Sequence, residues 1–271
     1  MFGYWTHDLS PFALELFPGV GLRWYGLAYV GGFMIGWWLM RRWSREGWLP
    51  IAEADVGDFM FWVAFMGVVV GGRLGYCFFY RLPSTLADPL SILRVWEGGM
   101  ASHGGIAGLW IAGWIYARLK HLPILKLTDA LALAAPPGIF LGRVANFING
   151  ELWGRPTWMP WGVIFPESPM PGVPRHPSQL YEAFLEGLVL WAVLFWAKRR
   201  STKPGVVVGA LMVSYPILRI IGECFREPDG NIHYLWAGIT YGQLLSAVML
   251  VFGLILLRVI SRRSDSAPAV N

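Results

Sequence analysis

Long apolar stretches alternate with short polar segments along the whole chain. Seven are evident, at residues 20–40, 56–79, 101–118, 128–146, 179–197, 205–224 and 239–260. A transmembrane helix needs about 20 predominantly apolar residues, and each stretch has about that length. The pattern therefore predicts an all-α, polytopic integral membrane protein with seven transmembrane helices.

Two segments add detail to this prediction. A Pro-Pro-Gly sequence at residues 136–138 falls inside the fourth stretch, so a kinked or broken helix is expected there. Residues 147–178 combine prolines, glycines and tryptophans and are expected to form an irregular loop at the outer membrane surface, with Ser178 as the N-cap of the next helix. No other linker is evident, so residues 1–271 are predicted to form a single membrane domain.

The composition supports a membrane location. Hydrophobic residues make up 55% of the chain and charged residues 14%, with a mean hydropathy of +0.48. Soluble domains carry roughly 25% charged residues, so this chain is far more apolar. Cys77 and Cys224 lie in apolar stretches without a CxxC spacing. Both are therefore expected to be buried, unpaired and dispensable, and no metal site is expected.

The basic residues predict an orientation in the membrane. Thirteen of the 22 lysines and arginines would lie on one side if the chain crossed seven times. They are Arg41, Arg42, Arg45, Arg118, Lys120, Lys126, Lys198, Arg199, Arg200, Lys203, Arg258, Arg262 and Arg263. Cytoplasmic loops are enriched in lysine and arginine, so this side is predicted to be the cytoplasm. The N-terminus would then be outside, in the periplasm, and the C-terminus inside.

The remaining basic residues are all arginines and would lie in the outer half of the membrane or beyond it. Three of them, Arg73, Arg143 and Arg219, fall inside apolar stretches. A charge within a span costs about 2.5–3.5 kcal/mol on insertion scales, so each needs a partner or a function. An ion pair with a neighbouring helix would explain any one of them, whereas three on one side favour a shared anionic ligand. The planar guanidinium group suits phosphate or carboxylate, which it can bind with two hydrogen bonds.

The sixth stretch carries a polar stripe. At about 100° per residue, Tyr215, Arg219, Glu223 and Arg226 fall within roughly 80° of one another on a helix. An internal Arg219–Glu223 pair is one explanation of the charges, and it does not exclude a binding site. A helix with such a stripe is expected to face protein or water rather than lipid.

The third stretch begins with GGMASHGGIAGLW, residues 98–110, which places His103 between glycines at the outer boundary. Glycines allow a backbone to approach a ligand closely. Histidine is suited to proton transfer near neutral pH. A lone histidine is more often a structural residue, so both interpretations of His103 stay open.

The most polar segment is GRVANFINGELWGRPT, residues 142–157. Arg143 and Asn146 are three residues apart at the outer end of the fourth stretch, so they can share one helix face. Glu151 follows between Gly150 and Gly154, which are expected to turn the chain. The segment indicates an anion-binding site at the depth of the outer leaflet.

Several of these segments resemble the motifs of the bacterial prolipoprotein diacylglyceryl transferases, in the family's order. They are LRWYGLAY (22–29), SHGGIAG (102–108), GRVANFINGELWGR (142–155), RHPSQLYE (175–182) and the Tyr215–Arg219–Glu223 stripe. The resemblance implies an enzyme of the bacterial inner membrane whose active site faces the outer leaflet and the periplasm. It implies transfer of the diacylglyceryl group of phosphatidylglycerol to the lipobox cysteine of a preprolipoprotein signal peptide, with release of glycerol phosphate.

The same resemblance implies the site residues, to which Arg73 is added for its place among the outer arginines. The predicted catalytic residues are His103, Arg143, Glu151, Tyr215 and Arg219. The predicted substrate-binding residues are Tyr25, Arg73, Arg143, Asn146, Gly154, Arg219 and Glu223. The base that deprotonates the thiol is either His103 or a tyrosine. No cofactor, metal ion or nucleic acid is expected to take part.

Two other functions fit a protein of this topology. A transporter or flippase for an anionic phospholipid would be expected to carry polar groups across the full membrane depth, or an internal repeat. A structural membrane protein would leave the outer arginines unexplained. The sequence lacks GxxxxGK[ST], HExxH and GxSxG, which disfavours nucleotide-binding, zinc-protease and serine-hydrolase functions.

Overall fold

The structure, a computed structural model, describes residues 3–94, 96, 98–227 and 241–262, without the side chains of Ser102, His103, Tyr241, Gly242, Gln243 and Leu245. Contacts between residues divide the chain into two compact units. The first unit consists of residues 1–36 and 131–271, and the second of residues 37–130. Most of the predicted site residues belong to the first unit, whereas Arg73 and His103 belong to the second.

The chain is mostly helical, and a helix lies in each apolar stretch of the sequence. The α-helices are α1 (Trp24–Arg45), α2 (Val56–Trp62), α3 (Gly71–Phe79), α4 (Leu82–Ala87), α5 (Ser102–Leu119), α6 (Ile124–Ile148), α7 (Ser178–Glu182), α8 (Leu190–Arg200), α9 (Val206–Glu223) and α10 (Tyr241–Arg262). Wider π-helical turns join α2 to α3 at Val63–Val70 and α7 to α8 at Ala183–Val189. Within the described residues, four helical segments are long and apolar enough to cross a membrane: Glu53–Phe79, Ile124–Ile148, Ser178–Arg200 and Val206–Glu223. The predicted helical and apolar architecture is confirmed, and the number of crossings stays a prediction.

Short strands lie outside the helices, and the all-α prediction is wrong about them. β1 (Trp5–Thr6), β4 (Val163–Ile164) and β5 (Pro174–Arg175) form one sheet in the order β1-β4-β5, while β2 (Phe12–Phe17) and β3 (Val20–Arg23) form an antiparallel hairpin. The first apolar stretch therefore begins as a strand, and its helix begins at Trp24. Strands of two residues are too short to show an alternating pattern in a sequence, because distant partners rather than local periodicity define them.

Helix α6 is continuous through Pro136 and Pro137, so the helix is not broken there, and the alternative of a kink stays a prediction. Glycines allow α1 to pack closely against it, since a Cβ atom on Gly32 would lie 3.1 Å from the Cα atom of Gly138. In the apolar interior of a bilayer, backbone groups released by a break find no water, which favours an unbroken helix. The helix continues to Ile148 and positions the polar residues near its C-terminal end.

Glycines in the second unit bring two helical segments into backbone contact. A Cβ atom on Gly71 would lie 2.7 Å from the carbonyl oxygen of Gly104 and 2.8 Å from the Cα atom of Gly108. A Cβ atom on Gly75 would lie 2.6 Å from the Cα atom of Gly104. Small residues four positions apart are typical of closely packed helices in membranes. The glycines after His103 thus serve helix packing, and the close approach of a ligand to them stays a prediction.

Candidate active site

A cluster of buried charges joins α6, α9 and the helical segment between them. Arg143 contacts Glu182 (Nη1 to Oε2, 2.8 Å) and Glu186 (Nη2 to Oε2, 3.2 Å). Arg219 contacts the other oxygen of each carboxylate, with Nη1 3.0 Å from Oε1 of Glu182 and 3.2 Å from Oε1 of Glu186. Each carboxylate therefore connects both arginines. These four residues are called the arginine–glutamate cluster below.

Two further charges border the arginine–glutamate cluster. Nη2 of Arg219 lies 3.2 Å from Oε1 of Glu223, one helical turn later, which is the internal pair considered for the polar stripe. Nη1 of Arg226 lies 3.5 Å from Oε1 of Glu182. Among these described contacts, three arginines meet three glutamates, so their formal charges balance.

Burial differs between the two kinds of charge in the cluster. The side chains of Glu182 and Glu186 are 0% and 1% exposed, whereas those of Arg143 and Arg219 are 18% and 19% exposed. The carboxylates are thus enclosed by protein, and the guanidinium groups keep an accessible edge. Buried carboxylates need such partners, because an unpaired charge away from water is unstable. An anionic ligand would reach the cluster from the side of the arginines.

Two tyrosines lie within electrostatic reach of these charges. All four charges of the cluster act on Tyr215, which is half-buried. The hydroxyl oxygen of Tyr25 lies 3.5 Å from that of Tyr29, and the charges of Arg143 and Glu151 act on Tyr25. The structure thus brings Tyr25 and Tyr215, both predicted site residues, to the same charged region.

The C-terminal end of α6 forms a Schellman cap that presents Glu151. The N–H of Gly150 donates to the carbonyl oxygen of Phe147, and the N–H of Glu151 donates to that of Asn146. Gly150 has a φ of 67°, the left-handed conformation that this cap requires and that glycine adopts without steric cost. Nε2 of His7 also lies 2.8 Å from the carbonyl oxygen of Phe147, so the N-terminal segment secures the same turn.

Side chains from both sides fix Glu151 after this cap. Nδ2 of Asn146 donates to Oε1 of Glu151 at 2.7 Å, and the binding of substrate by Asn146 stays a prediction. Nε2 of Gln179 donates to the carbonyl oxygen of Glu151. Oγ of Ser178 donates to the carbonyl oxygen of Leu152 at 3.0 Å. The N-cap of α7 is Pro177, so the predicted N-cap at Ser178 is wrong.

Gly154 lies where three backbone segments cross. Its N–H donates to the carbonyl oxygen of His176 at 2.9 Å, and it forms an antiparallel bridge with Arg226. Nη1 of the buried Arg175 donates to the carbonyl oxygen of Gly154 at 3.0 Å. A Cβ atom here would lie 2.5 Å from the carbonyl oxygen of His176 and 2.6 Å from that of Phe225. Backbone packing therefore requires glycine at this position.

His176 lies beside this crossing and is not among the residues selected from the sequence. Its Nδ1 lies 3.1 Å from the hydroxyl oxygen of Tyr181, and its ring packs edge-on against Phe225. Burial lowers the pKa of His176, so the ring is neutral near pH 7. It thus contributes a neutral hydrogen bond rather than a charge.

The second unit holds the other two predicted site residues. Arg73 is buried, and its guanidinium group donates to the carbonyl oxygens of Ser91, Ile92, Gly98 and Gly99. These bonds tie the segment after α4 to α3, so Arg73 has a clear structural role, and its binding of substrate stays a prediction. His103 lies in the first turn of α5, but its side chain is outside the described residues.

Comparisons with known proteins identify the family of this chain. The family described as prolipoprotein diacylglyceryl transferase matches residues 11–259. The chain belongs to this family. Similar proteins include the phosphatidylglycerol–prolipoprotein diacylglyceryl transferases of Rhodospirillum centenum (48% identical, covering 91% of this chain and 90% of the relative) and Bradyrhizobium diazoefficiens (45%, covering 96% and 94%). The transferase of Nitratidesulfovibrio vulgaris is 46% identical, covering 97% and 98%.

The two cysteines of this prolipoprotein diacylglyceryl transferase family member differ in burial. Cys77 and Cys224 are both free thiols. Cys77 is buried, but Cys224 is exposed, so the prediction of burial is wrong for Cys224. Cys224 directly follows α9, and its Sγ donates to the carbonyl oxygen of Ile220 at 3.4 Å. A membrane helix can turn an apolar face outwards, so an apolar segment does not imply burial within the protein.

The acidic partners of the arginines in this transferase family member are not among the site residues predicted from the sequence. Neither Glu182 nor Glu186 is selected there as a site residue. A signal is nevertheless present, since two carboxylates four residues apart lie inside the fifth apolar stretch. At that spacing they share a helix face, and in a membrane each needs a cationic partner.

Proposed function

We propose that this chain transfers the diacylglyceryl group of phosphatidylglycerol to the thiol of a lipobox cysteine in a prolipoprotein, and that Arg143 and Arg219 bind the phosphate. Family membership and the names of the similar transferases support the reaction. One observation carries the site: two arginines from different helices converge on shared, buried carboxylates and keep an accessible edge. The phosphodiester of the lipid is an anion that can accept hydrogen bonds from both guanidinium groups.

The reaction forms one bond and breaks another at the same carbon. The thiolate sulfur attacks the glyceryl carbon that carries the phosphate, a thioether forms, and the carbon–oxygen bond breaks. Glycerol phosphate leaves with the electron pair, so negative charge grows on the phosphate oxygens. Guanidinium groups that are already in place stabilise this charge without reorganisation. The thiol proton must pass to a base, because the thiolate is the nucleophile.

Three other predicted site residues, Tyr25, Glu151 and Tyr215, are proposed to lie around the bound phosphate. Tyr25 and Glu151 lie within electrostatic reach of each other, and Tyr215 lies within reach of the arginine–glutamate cluster. We infer that they orient the glycerol headgroup or the thiol against the phosphate. The base is either His103 or one of these two tyrosines.

A direct assay tests the reaction. Purified protein would be mixed with vesicles that contain phosphatidylglycerol and a peptide that carries a lipobox cysteine, and the products would be analysed by mass spectrometry. The expected product is the peptide with one diacylglyceryl group, together with free glycerol phosphate. Vesicles of phosphatidylethanolamine and a peptide with serine in place of the cysteine serve as controls. Purified, folded protein that forms no modified peptide would rule out the proposed reaction.

His103 is expected to deprotonate or orient the thiol. His103→Gln keeps a polar side chain but removes the titratable group, so turnover should fall by about 10²-fold, the lower end of what general base catalysis contributes. Lipid affinity, measured by binding of phosphatidylglycerol vesicles, should change little. Turnover within twofold of the unmodified protein from pH 6 to 9 would leave a tyrosine as the base.

We propose seven crossings of the bacterial inner membrane, with the N-terminus and the active site on the periplasmic side and the C-terminus in the cytoplasm. The distribution of basic residues supports this orientation. Near the C-terminal ends of three helices, an arginine also stacks on a tryptophan one turn earlier: Arg41 on Trp37, Arg118 on Trp114 and Arg200 on Trp196, at 4.9, 5.4 and 5.5 Å from the ring centres. Such pairs are typical of helix ends at a membrane interface.

Reporter fusions test this topology. Fusions after Arg45, Lys120 and Arg200 should be active with a cytoplasmic reporter and inactive with a periplasmic one. A fusion near Pro169 should show the opposite result, because residues 147–178 are placed outside. A cytoplasmic result at Pro169 would put the site on the wrong side for the proposed reaction.

A further inference from the structure

Glu186 occupies a special position among the buried charges. One of its oxygens contacts Arg143 and the other contacts Arg219, both at 3.2 Å. Glu182 also contacts both arginines, but it is shared with Arg226 as well. The described contacts of Glu186 thus join it to the two residues proposed to bind the phosphate.

The backbone around Glu186 fixes it against α6. It lies in the π-helical turn Ala183–Val189, and π-helical turns are frequent at functional sites. A Cβ atom on the next residue, Gly187, would lie 2.6 Å from the Cβ atom of Phe140, so the turn is pressed against the helix that carries Arg143. Glu186 therefore has little freedom to move away from its partners.

We propose that Glu186 is a positioning residue that sets the separation and orientation of the guanidinium groups of Arg143 and Arg219. Two guanidinium groups that contact the same carboxylate repel each other in an apolar medium, and the carboxylate between them holds them together. One oxygen for each arginine also defines the angle at which each planar group is presented. This inference rests on the proposed function, in which both groups must meet the oxygens of one phosphate.

The geometry separates this role from simple charge neutralisation. Glu186→Gln keeps the size of the side chain, but its amide places a donor against one of the two arginines and removes the negative charge. Glu186→Asp keeps the charge but withdraws the carboxylate by one methylene group. If charge alone mattered, aspartate would restore full activity. If activity depends on the contacts of one carboxylate with both arginines, aspartate would restore only part of the activity.

The test measures kcat and KM for phosphatidylglycerol and for the lipobox peptide, with each value referred to the amount of folded protein. For Glu186→Gln, kcat should fall by about 10- to 100-fold, because small misplacements of reacting groups have effects of this order. KM for phosphatidylglycerol should change far less, since removal of a negative charge favours the binding of an anion. Glu186→Asp should show an intermediate kcat, and KM for the peptide should stay unchanged in both variants.

Glu53→Gln provides a control at a more exposed arginine–glutamate pair, since the Glu53 side chain is 34% exposed. Glu53 accepts a hydrogen bond from Nε of Arg41 at 3.0 Å and belongs to the second unit, so its loss removes an arginine–glutamate pair outside the proposed site. Its kcat should equal that of the unmodified protein. If Glu186→Gln does not fold, Glu186→Asp decides alone, and a normal kcat for it overturns the proposal.

Other results also contradict the inference. An equal fall of kcat in Glu186→Gln and Glu53→Gln would mean that any lost ion pair has this effect, and a twofold change or less in Glu186→Gln would mean that the bridge is unnecessary. In both cases the unmodified protein still transfers the diacylglyceryl group, so the proposed function survives. An unmodified protein without transfer would overturn the proposed function and this inference together.

Discussion

Replacement of Arg143 or Arg219 by alanine should lower turnover by about 10²–10³-fold, equivalent to about 2.7–4 kcal/mol of lost transition-state stabilisation. The charge on the phosphate grows as the carbon–oxygen bond breaks, so a guanidinium group binds the transition state better than the substrate. The alanine variants also leave the buried carboxylates of the cluster short of a partner, which adds a loss of stability.

Lysine variants distinguish charge from geometry at these two positions. Arg143 uses Nη1 for Glu182 and Nη2 for Glu186, which one ammonium group cannot reproduce at two fixed points. Arg143→Lys should therefore recover only part of the activity. Turnover and binding of phosphatidylglycerol would be measured for alanine and lysine variants of both arginines. Near-normal turnover in folded Arg143→Ala would exclude Arg143 from phosphate binding.

Gly154→Ala should both destabilise the protein and lower turnover. The added Cβ atom would lie 2.5 Å and 2.6 Å from two backbone carbonyl oxygens, which cannot move away without shifting their segments. Overpacking of this kind costs about 1–3 kcal/mol. The backbone bridge between Gly154 and Arg226 would shift with residue 154. Turnover should therefore fall by about 10²-fold, as expected when groups at a reaction site are displaced by about 1 Å.

Gly142→Ala is the matched control for this substitution. Gly142 lies in α6 within the same sequence motif, and a Cβ atom there would meet no atom within 4 Å apart from its chain neighbours and the nearby backbone of its own helix. Alanine is also the better helix former, so thermal stability should stay equal or rise slightly. Thermal unfolding and turnover would be measured for both variants. A Gly154→Ala protein as stable and active as Gly142→Ala would show that the crossing tolerates a side chain.

The helices could be predicted from the sequence because apolar length is a local property. The stretch at 205–224 is helix α9, Val206–Glu223, and the stretch at 56–79 ends where α3 ends, at Phe79. The spacing of Tyr215, Arg219 and Glu223 is also local, so the polar stripe could be found without the fold. These features depend on neighbours within one helix.

Features that depend on distant partners could not be predicted in the same way. The spacing of Glu182 and Glu186 shows that each needs a cationic partner, but only the fold shows that Arg143 and Arg219 meet Glu186 from two other helices. Gly154 could be selected through the family motif, but the need for glycine there comes from the carbonyl groups of His176 and Phe225, which leave no room for a side chain. The short strands likewise depend on pairing between segments far apart in the chain.

The division of the charges among three helical segments has a consequence for the biogenesis of the protein. As each segment enters the bilayer, α6 brings Arg143 without its partners, and Ser178–Arg200 brings two carboxylates without theirs. A charge on an isolated span costs about 2.5–3.5 kcal/mol on insertion scales, so the two segments gain by pairing as soon as both have been inserted. When α9 is inserted, Arg219 pairs with both carboxylates and completes the arginine–glutamate cluster. A truncated chain that lacks α9 would retain a surplus of negative charge, with Glu182 and Glu186 facing Arg143 alone.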